Sequence, residues 1–234
     1  MHTLEGPRLN PLSGRPAQQL VILLHGYGAD GNDLIELAKI WQPRLVNAAF
    51  IAPHGPAACE LSPFGRQWFS LRQYDPEEMR RNPDLLEQGL ENLEAGAFEA
   101  QKILEPFVEK ELSQLSLEMK DLVLVGFSQG TMIALHSGLR QKNAPAGILG
   151  YSGALVGAKN LARDTQSRPP VTLIHGEQDD ILPYAALGLA ERGLKAADVK
   201  VDTHTCPNLG HSIDERGLSI GGSFLQGLFK KPKN

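Results

Sequence analysis

The chain has 234 residues, 41% hydrophobic and 21% charged, with a net charge of −4. That is enough for one domain with a large core, read here as a single unit spanning residues 1–234. The acidic balance offers no basic face to nucleic acid. No apolar run approaches the roughly 18 residues of a membrane span, so no stable membrane insertion is expected. Two widely separated cysteines, Cys59 and Cys206, suggest neither a zinc site nor a disulfide framework.

The N-terminus, MHTLEGPRLNP, has no apolar h-region and no basic n-region, so a signal peptide is not expected. A cytoplasmic protein with two free thiols is the simplest expectation. Residues 1–17 are rich in Pro, Gly and Asn, with one short strand expected near His2 to Glu5. Leu20 to Leu24 is apolar throughout, as a strand buried on both faces should be. It runs into the Gly-rich loop His25-Gly26-Tyr27-Gly28-Ala29-Asp30-Gly31. A helix capped by Asn32 or Asp33 should run to about Trp41, where Pro43 stops it. Ala48 to Ala52 is a second apolar strand. A long irregular stretch follows, and its embedded Trp68, Phe69 and Leu71 argue that it is ordered.

Asn82-Pro83-Asp84 reads as a helix start. Apolar residues then recur at helical spacing from Leu86 to about Leu112, with Pro106 expected to kink or divide the helix. Leu122 to Val125 is a central strand, followed by Gly126-Phe127-Ser128-Gln129-Gly130 and a helix from Thr131 to Arg140. Further strands are expected at Gly147 to Tyr151, Val171 to Ile174 and Val199 to His204, with helices at Pro183 to Lys195 and Ser212 to Phe229. Glycines weaken the last helix. The basic end, KKPKN, reads as a solvated tail. Apolar strands alternating with helices make a mostly parallel central sheet with helices on both faces, an α/β fold.

Sites in such sheets form beyond the carboxyl ends of the strands. Gly-x-Ser-x-Gly between a strand and a helix places the Ser128 hydroxyl on a tight turn, facing the free N–H groups of the helix start. A serine hydroxyl needs a base within reach, and the base needs an anion to fix its tautomer. Ser128, Asp179 and His211 follow three strands in that chemical order. Ser128 would attack a carbonyl, His211 would carry the proton, and Asp179 would hold the imidazole. On chemistry alone Asp179 and Asp180 are hard to separate, and one of them could cap the next turn. His25 and His175 end strands near the site, but they precede or accompany the acid and suit structural roles. His2, His54, His136 and His204 lie at a terminus, in an early loop, inside a helix and within a strand. An oxyanion hole would use the backbone N–H of Gln129 and one from the loop after the earlier strand, for which Tyr27 is the expected donor.

The blocks LHGYGAD (24–30), Trp68-Phe69, GFSQG (126–130), HGEQD (175–179) and Gly210-His211 together resemble the phospholipase/carboxylesterase family of α/β-hydrolases, which includes the acyl-protein thioesterases. The resemblance covers nearly the whole chain. It implies the α/β-hydrolase fold and a serine hydrolase without cofactor or metal. Its substrates would be short- to medium-chain acyl esters or thioesters. A lysophospholipase or an acyl-protein thioesterase is the alternative within the class. The family's H-G-x-x-D pattern assigns the acid to Asp179, and its aromatic segment suggests Trp68, Leu71 and Ile181 as pocket walls. The chain departs from the common pattern at Glu177, Asp180, Thr131-Met132 and Ala154, which bears on substrate choice rather than on the three catalytic candidates. The expected partners are a small ester or thioester and, as one option, a second copy of the chain in a homodimer. A non-catalytic binder on a hydrolase scaffold is the rival from another class. It would have no need for both oxyanion loops.

Overall fold

The computed structural model describes residues 4–82 and 84–229. In chain order its strands are β1 (Arg8–Leu9), β2 (Gln19–Leu24), β3 (Ala48–Ile51), β4 (Ala57–Ala58), β5 (Arg66–Gln67), β6 (Leu122–Phe127), β7 (Gly147–Tyr151), β8 (Val171–Gly176) and β9 (Val201–Cys206). The helices are α1 (Gly31–Trp41), α2 (Pro76–Arg81), α3 (Asp84–Asn92), α4 (Glu94–Leu115), α5 (Gln129–Arg140), α6 (Ala158–Asp164), α7 (Ala185–Ala196) and α8 (Glu215–Phe229). The main sheet runs β1-β3-β2-β6-β7-β8-β9, while β4 and β5 form a separate antiparallel pair. Every pairing in the main sheet is parallel except β1 on β3.

A strand covered on both faces needs apolar residues in both phases of its two-residue period. In β2, Leu20, Ile22 and Leu24 enter one hydrophobic cluster, and Val21 and Leu23 enter the other. In β6, Leu122 and Leu124 pair off in the same way against Val123 and Val125. The first cluster takes its cover from α2 to α7, the second from α1 and α8. The edge strand β9 is only half-buried along Val201–Thr205, which is why its sequence alternates with polar residues. The glycines of α8 have a packing reason. A Cβ at Gly221 would lie 2.0 Å from the Tyr151 hydroxyl, so its absence lets α8 close over Tyr151 and Trp41.

Several boundaries differ from the sequence reading. The N-terminal strand is Arg8–Leu9, hydrogen-bonded to β3, and Leu4 and Glu5 are not in a strand. His2 and Thr3 lie outside the described residues, as do Pro83 and the KKPKN end. Asp30, not Asn32 or Asp33, caps α1. It accepts from Asn32 N–H, and Asp33 returns a bond to the Asp30 N–H to close a capping box. The stretch after Pro53 contains the β4–β5 hairpin and α2, which Asp75 caps. The long helical run breaks at Leu93, where Leu93 N–H reaches Leu90 O at 3.2 Å, and not at Pro106. Pro106 stays inside α4. Losing one helical hydrogen bond and accepting its ring costs about 3 kcal/mol, less than α4 gains by burying Ala97, Ala100, Leu104, Phe107, Val108 and Leu112. The short α6 was not anticipated, and Leu161 is its one buried side chain.

Among the described residues no helix is long and apolar enough to cross a membrane. Cys59, half-buried, and Cys206, buried, are both free thiols.

His136 lies in α5, which packs on α4, and is only 1% exposed. Burial, reinforced by the Arg140 charge and opposed by Asp164, pushes its imidazole down to about 3. The unfolded chain therefore takes up a proton that the folded chain refuses as pH falls from the usual histidine value towards 3. Stability should fall over that window by up to about 1.4 kcal/mol per pH unit from this group. His136→Phe should flatten the slope in urea unfolding measured from pH 7 to pH 4. An unchanged slope would assign the acid sensitivity elsewhere.

Candidate active site

The strand-to-helix turn between β6 and α5 holds Ser128 at φ 54° and ψ −116°, a strained conformation for a residue with a side chain. The flanking glycines make it possible. A Cβ at Gly126 would lie 2.3 Å from Thr131 N, and one at Gly130 would lie 1.8 Å from Leu24 O. Ser128 N–H donates to Tyr151 O at 2.9 Å, tying the turn to β7. Among the described residues the Ser128 hydroxyl oxygen makes no hydrogen bond.

The loop after β2 closes on this turn. A Cβ at Gly26 would sit 3.3 Å from Ser128 Cβ. His25 is fully buried, and both of its nitrogens are engaged. Nε2 accepts from Gly55 N–H at 2.7 Å, so Nδ1 carries the proton and donates to Gly26 O at 2.8 Å. That bond turns the Gly26 carbonyl towards His25 and the Tyr27 N–H, across the same peptide plane, away from it. Burial pulls the His25 pKa down, against the smaller upward effect of the Gly26 bond, in keeping with a neutral ring. Neither Tyr27 N–H nor Gln129 N–H is used by another group among the described residues. The Gln129 side chain is fully buried. Its Oε1 accepts from Trp68 N–H at 2.9 Å and its Nε2 donates to Phe69 O at 2.9 Å. Trp68 is 3% exposed, and its Nε1 donates to His25 O at 3.0 Å. It therefore braces the loop from behind rather than presenting an open wall. Leu71 is half-buried against the same cluster, whereas Ile181 is exposed.

Asp179 follows β8 and its carboxylate is buried. Oδ1 accepts from Ile181 N–H at 3.0 Å and Leu182 N–H at 2.8 Å. Oδ2 lies 2.8 Å from His211 Nδ1 and 3.2 Å from His175 Nε2. Burial alone would raise the Asp179 pKa. The bonds from His175 and His211, the His211 charge and the Leu182 N–H outweigh it and hold the carboxyl well below the usual range. Asp179 is therefore both the carboxylate facing the histidines and the cap of the following turn, while Asp180 is exposed. His211 follows β9 and is half-buried, its ring 5.0 Å from the Phe127 ring beside the nucleophile candidate. Its Nδ1 is committed to Asp179, and its Nε2 has no partner among the described residues. Ser128, Asp179 and His211 thus gather at the carboxyl ends of β6, β8 and β9. Among the described residues no three His, Cys, Asp or Glu side chains cluster as a metal would require.

Residues 12–228 match the model of the Phospholipase/Carboxylesterase family. The acyl-protein thioesterase 1 of Gibberella zeae is 30% identical, over 97% of this chain and 98% of that protein. The esterase YpfH of Escherichia coli is 26% identical, over 91% of this chain and 84% of that protein. Among solved structures, esterase PE8 superposes with a TM-score of 0.87 at 35% identity, covering 97% of this chain and 100% of that one.

The Gln129 amide links the helix start to the aromatic segment. Gln129→Ala keeps the backbone N–H but leaves Trp68 N–H and Phe69 O unpaired. It should cost about 2 to 4 kcal/mol in urea unfolding and speed proteolytic nicking between residues 57 and 75. An unmoved midpoint and unchanged nicking would mean that the amide does not hold the segment.

Proposed function

Because the chain belongs to the phospholipase/carboxylesterase family, we propose that it hydrolyses acyl esters or thioesters through Ser128, His211 and Asp179. The observation that carries this reading is the 2.8 Å contact between His211 Nδ1 and an Asp179 carboxylate that stays ionised. An ionised oxygen is an acceptor only, so Nδ1 must hold a proton, and in the neutral ring Nε2 then keeps its lone pair. Nε2 then takes the hydroxyl proton as Ser128 Oγ bonds to the substrate carbonyl carbon. The carbonyl oxygen becomes an oxyanion received by the N–H groups of Tyr27 and Gln129. The Gln129 N–H also stands at the positive end of α5. Collapse of the tetrahedral adduct breaks the bond to the alcohol or thiol, which leaves with the proton from Nε2. Water, activated by the same nitrogen, then releases the acid and restores Ser128. The absence of a Ser128–His211 hydrogen bond is in keeping with resting sites, where such bonds are often long before substrate arrives.

Leu71 and Ile181 are proposed as walls for the acyl group, Leu71 packing against the buried cluster that contains Trp68. A second reading, a longer acyl chain such as that of a lysophospholipid or an acylated protein, draws on the β4–β5 hairpin. Its tip exposes Leu61 (83%) and Phe64 (93%), and its base is bonded into the Tyr27 loop through Gly28 N–H to Arg66 O at 3.0 Å. The name of the Gibberella zeae relative points the same way. Each buried CH₂ is worth about 0.8 kcal/mol, so kcat/KM against acyl length separates the two readings.

A fluorophosphonate should label Ser128, as located by mass spectrometry, and the labelling should vanish in His211→Ala. Ser128→Ala should abolish turnover while leaving the unfolding midpoint within about 1 kcal/mol. Asp179→Asn should lower kcat by about 10³- to 10⁴-fold, because an amide can hold the wrong tautomer. Substantial turnover by Ser128→Ala would refute the assignment.

A further inference from the structure

We propose that His175 is a positioning residue for this reaction: its Nε2–H, fixed by the sheet, holds the Leu182 carbonyl and lies beside Oδ2 of Asp179, and so places the carboxylate that serves His211. The proposal rests on the reading of Ser128, His211 and Asp179 given above. His175 is the penultimate residue of β8, and it is 1% exposed. Its Nε2 lies 3.0 Å from Leu182 O and 3.2 Å from Asp179 Oδ2. Both neighbours are acceptors, so that nitrogen carries the proton. The N–H is directed at Leu182 O, with Asp179 Oδ2 beside it. Leu182 closes the ring, since its own N–H donates to Asp179 Oδ1 at 2.8 Å.

This arrangement settles a degree of freedom of the side chain. The terminal torsion of an aspartate is broad. The N–H groups of Ile181 and Leu182 hold Oδ1, which in a planar carboxylate also sets the direction of Oδ2, and His175 in turn holds Leu182 through its carbonyl. Oδ2 has two neighbours with protons to give, His211 and His175. His211 sits in a loop and must exchange its proton during the reaction. His175 sits on a strand between β7 and β9, takes no part in proton transfer, and holds its proton against two oxygens. Among the described residues it is the neighbour of Oδ2 that stands outside the proton transfer.

The other titratable groups about this carboxylate are few. Tyr74, from the segment before α2, reaches Ile181 O with its hydroxyl at 3.4 Å, and burial and the Asp179 charge raise its pKa. Tyr184, ahead of α7, packs edge-on against the His175 ring at 6.1 Å and bonds Thr205. Glu177 and Asp180 of the same loop are exposed. Removing the His175 N–H takes a positively polarised hydrogen from beside Oδ2 and leaves more of the carboxylate's charge for His211. The imidazolium is then favoured, and the acid limb of the kcat/KM profile moves to higher pH.

The test uses three variants of the full chain with a chromogenic ester. His175→Leu should lower kcat by about 10- to 100-fold, the worth of one bond to a charged group, with KM nearly unchanged and the acid limb raised. His175→Gln, whose amide N–H reaches the position of Nε2, should restore most of kcat and the original limb. His175→Asn is too short and should behave like His175→Leu, so that the Gln/Asn pair decides if the leucine variant does not fold. Equal impairment of Gln and Asn with an unmoved limb would overturn the proposal in favour of a purely structural histidine. So would wild-type kinetics in His175→Asn. Asp179→Asn is measured in the same buffers. If it stays active, the site assignment itself fails and this proposal falls with it; if it is inactive, the His175 series stands as an independent result.

Discussion

The site depends on how closely α5 approaches β2. With a Cβ at Gly130 only 1.8 Å from Leu24 O, no side chain can stand there while the helix keeps its place. The same crowding at Gly126 forces the chain from strand to helix within one residue, and Ser128 takes the strained φ of 54° that results. The strain is local, and the support is spread widely: Ser128 N–H on Tyr151 O, Thr131 N–H on Ser128 O, and the apolar contacts of both faces of the sheet. A conformation costing about 1 to 3 kcal/mol survives where the surroundings over-determine it. Here the central strands, buried on both faces, do so.

The remaining parts are held by side chains that do no chemistry. The Tyr27 loop is stitched by His25 to Gly26 and Gly55, by Trp68 to His25, and by Gln129 to Trp68 and Phe69. The chain of bonds therefore runs from the start of α5 through the aromatic segment to the loop that carries the candidate oxyanion donor. On the other side of Ser128, Asp179 has three hydrogen-bond partners in its own loop and the loop after β9, with the His175 N–H of β8 beside it. Both halves are rigid for the same reason: buried polar groups are tolerated when each has a partner, and a fully paired network has one arrangement.

Much of this was legible from residue types. The apolar runs gave the parallel strands because both phases of their period are hydrophobic, and Ser128, Asp179 and His211 stood at strand ends because sites form there. What was not legible was contact between distant segments. Nothing around Pro106 says that burial of Leu104 and Phe107 outweighs a missing hydrogen bond, so the break at Leu93 was misplaced. The cap of α1 was misread because Asp30 and Asp33 act as a pair, and either alone looks like a cap. The family resemblance suggested Trp68 as a pocket wall, and nothing in the sequence shows that its indole is tied to a carbonyl 43 positions away. The β4–β5 hairpin pairs only two residues on each side, too few to leave an alternating pattern.

The three histidines at strand ends show why sequence order and physical chemistry point to the same candidate base. His25 uses both ring nitrogens on backbone groups, so it has neither a lone pair nor a proton to exchange. His175 holds its Nε2 proton against two oxygens inside the core, so that nitrogen has no lone pair to offer. His211 alone pairs one nitrogen with the carboxylate and leaves the other uncommitted at a half-buried position next to Phe127. An imidazole serves as a base when one nitrogen is pinned and the other is free. The fold meets that condition where β9 ends, because β9 is the edge strand and the loop beyond it has solvent on one side.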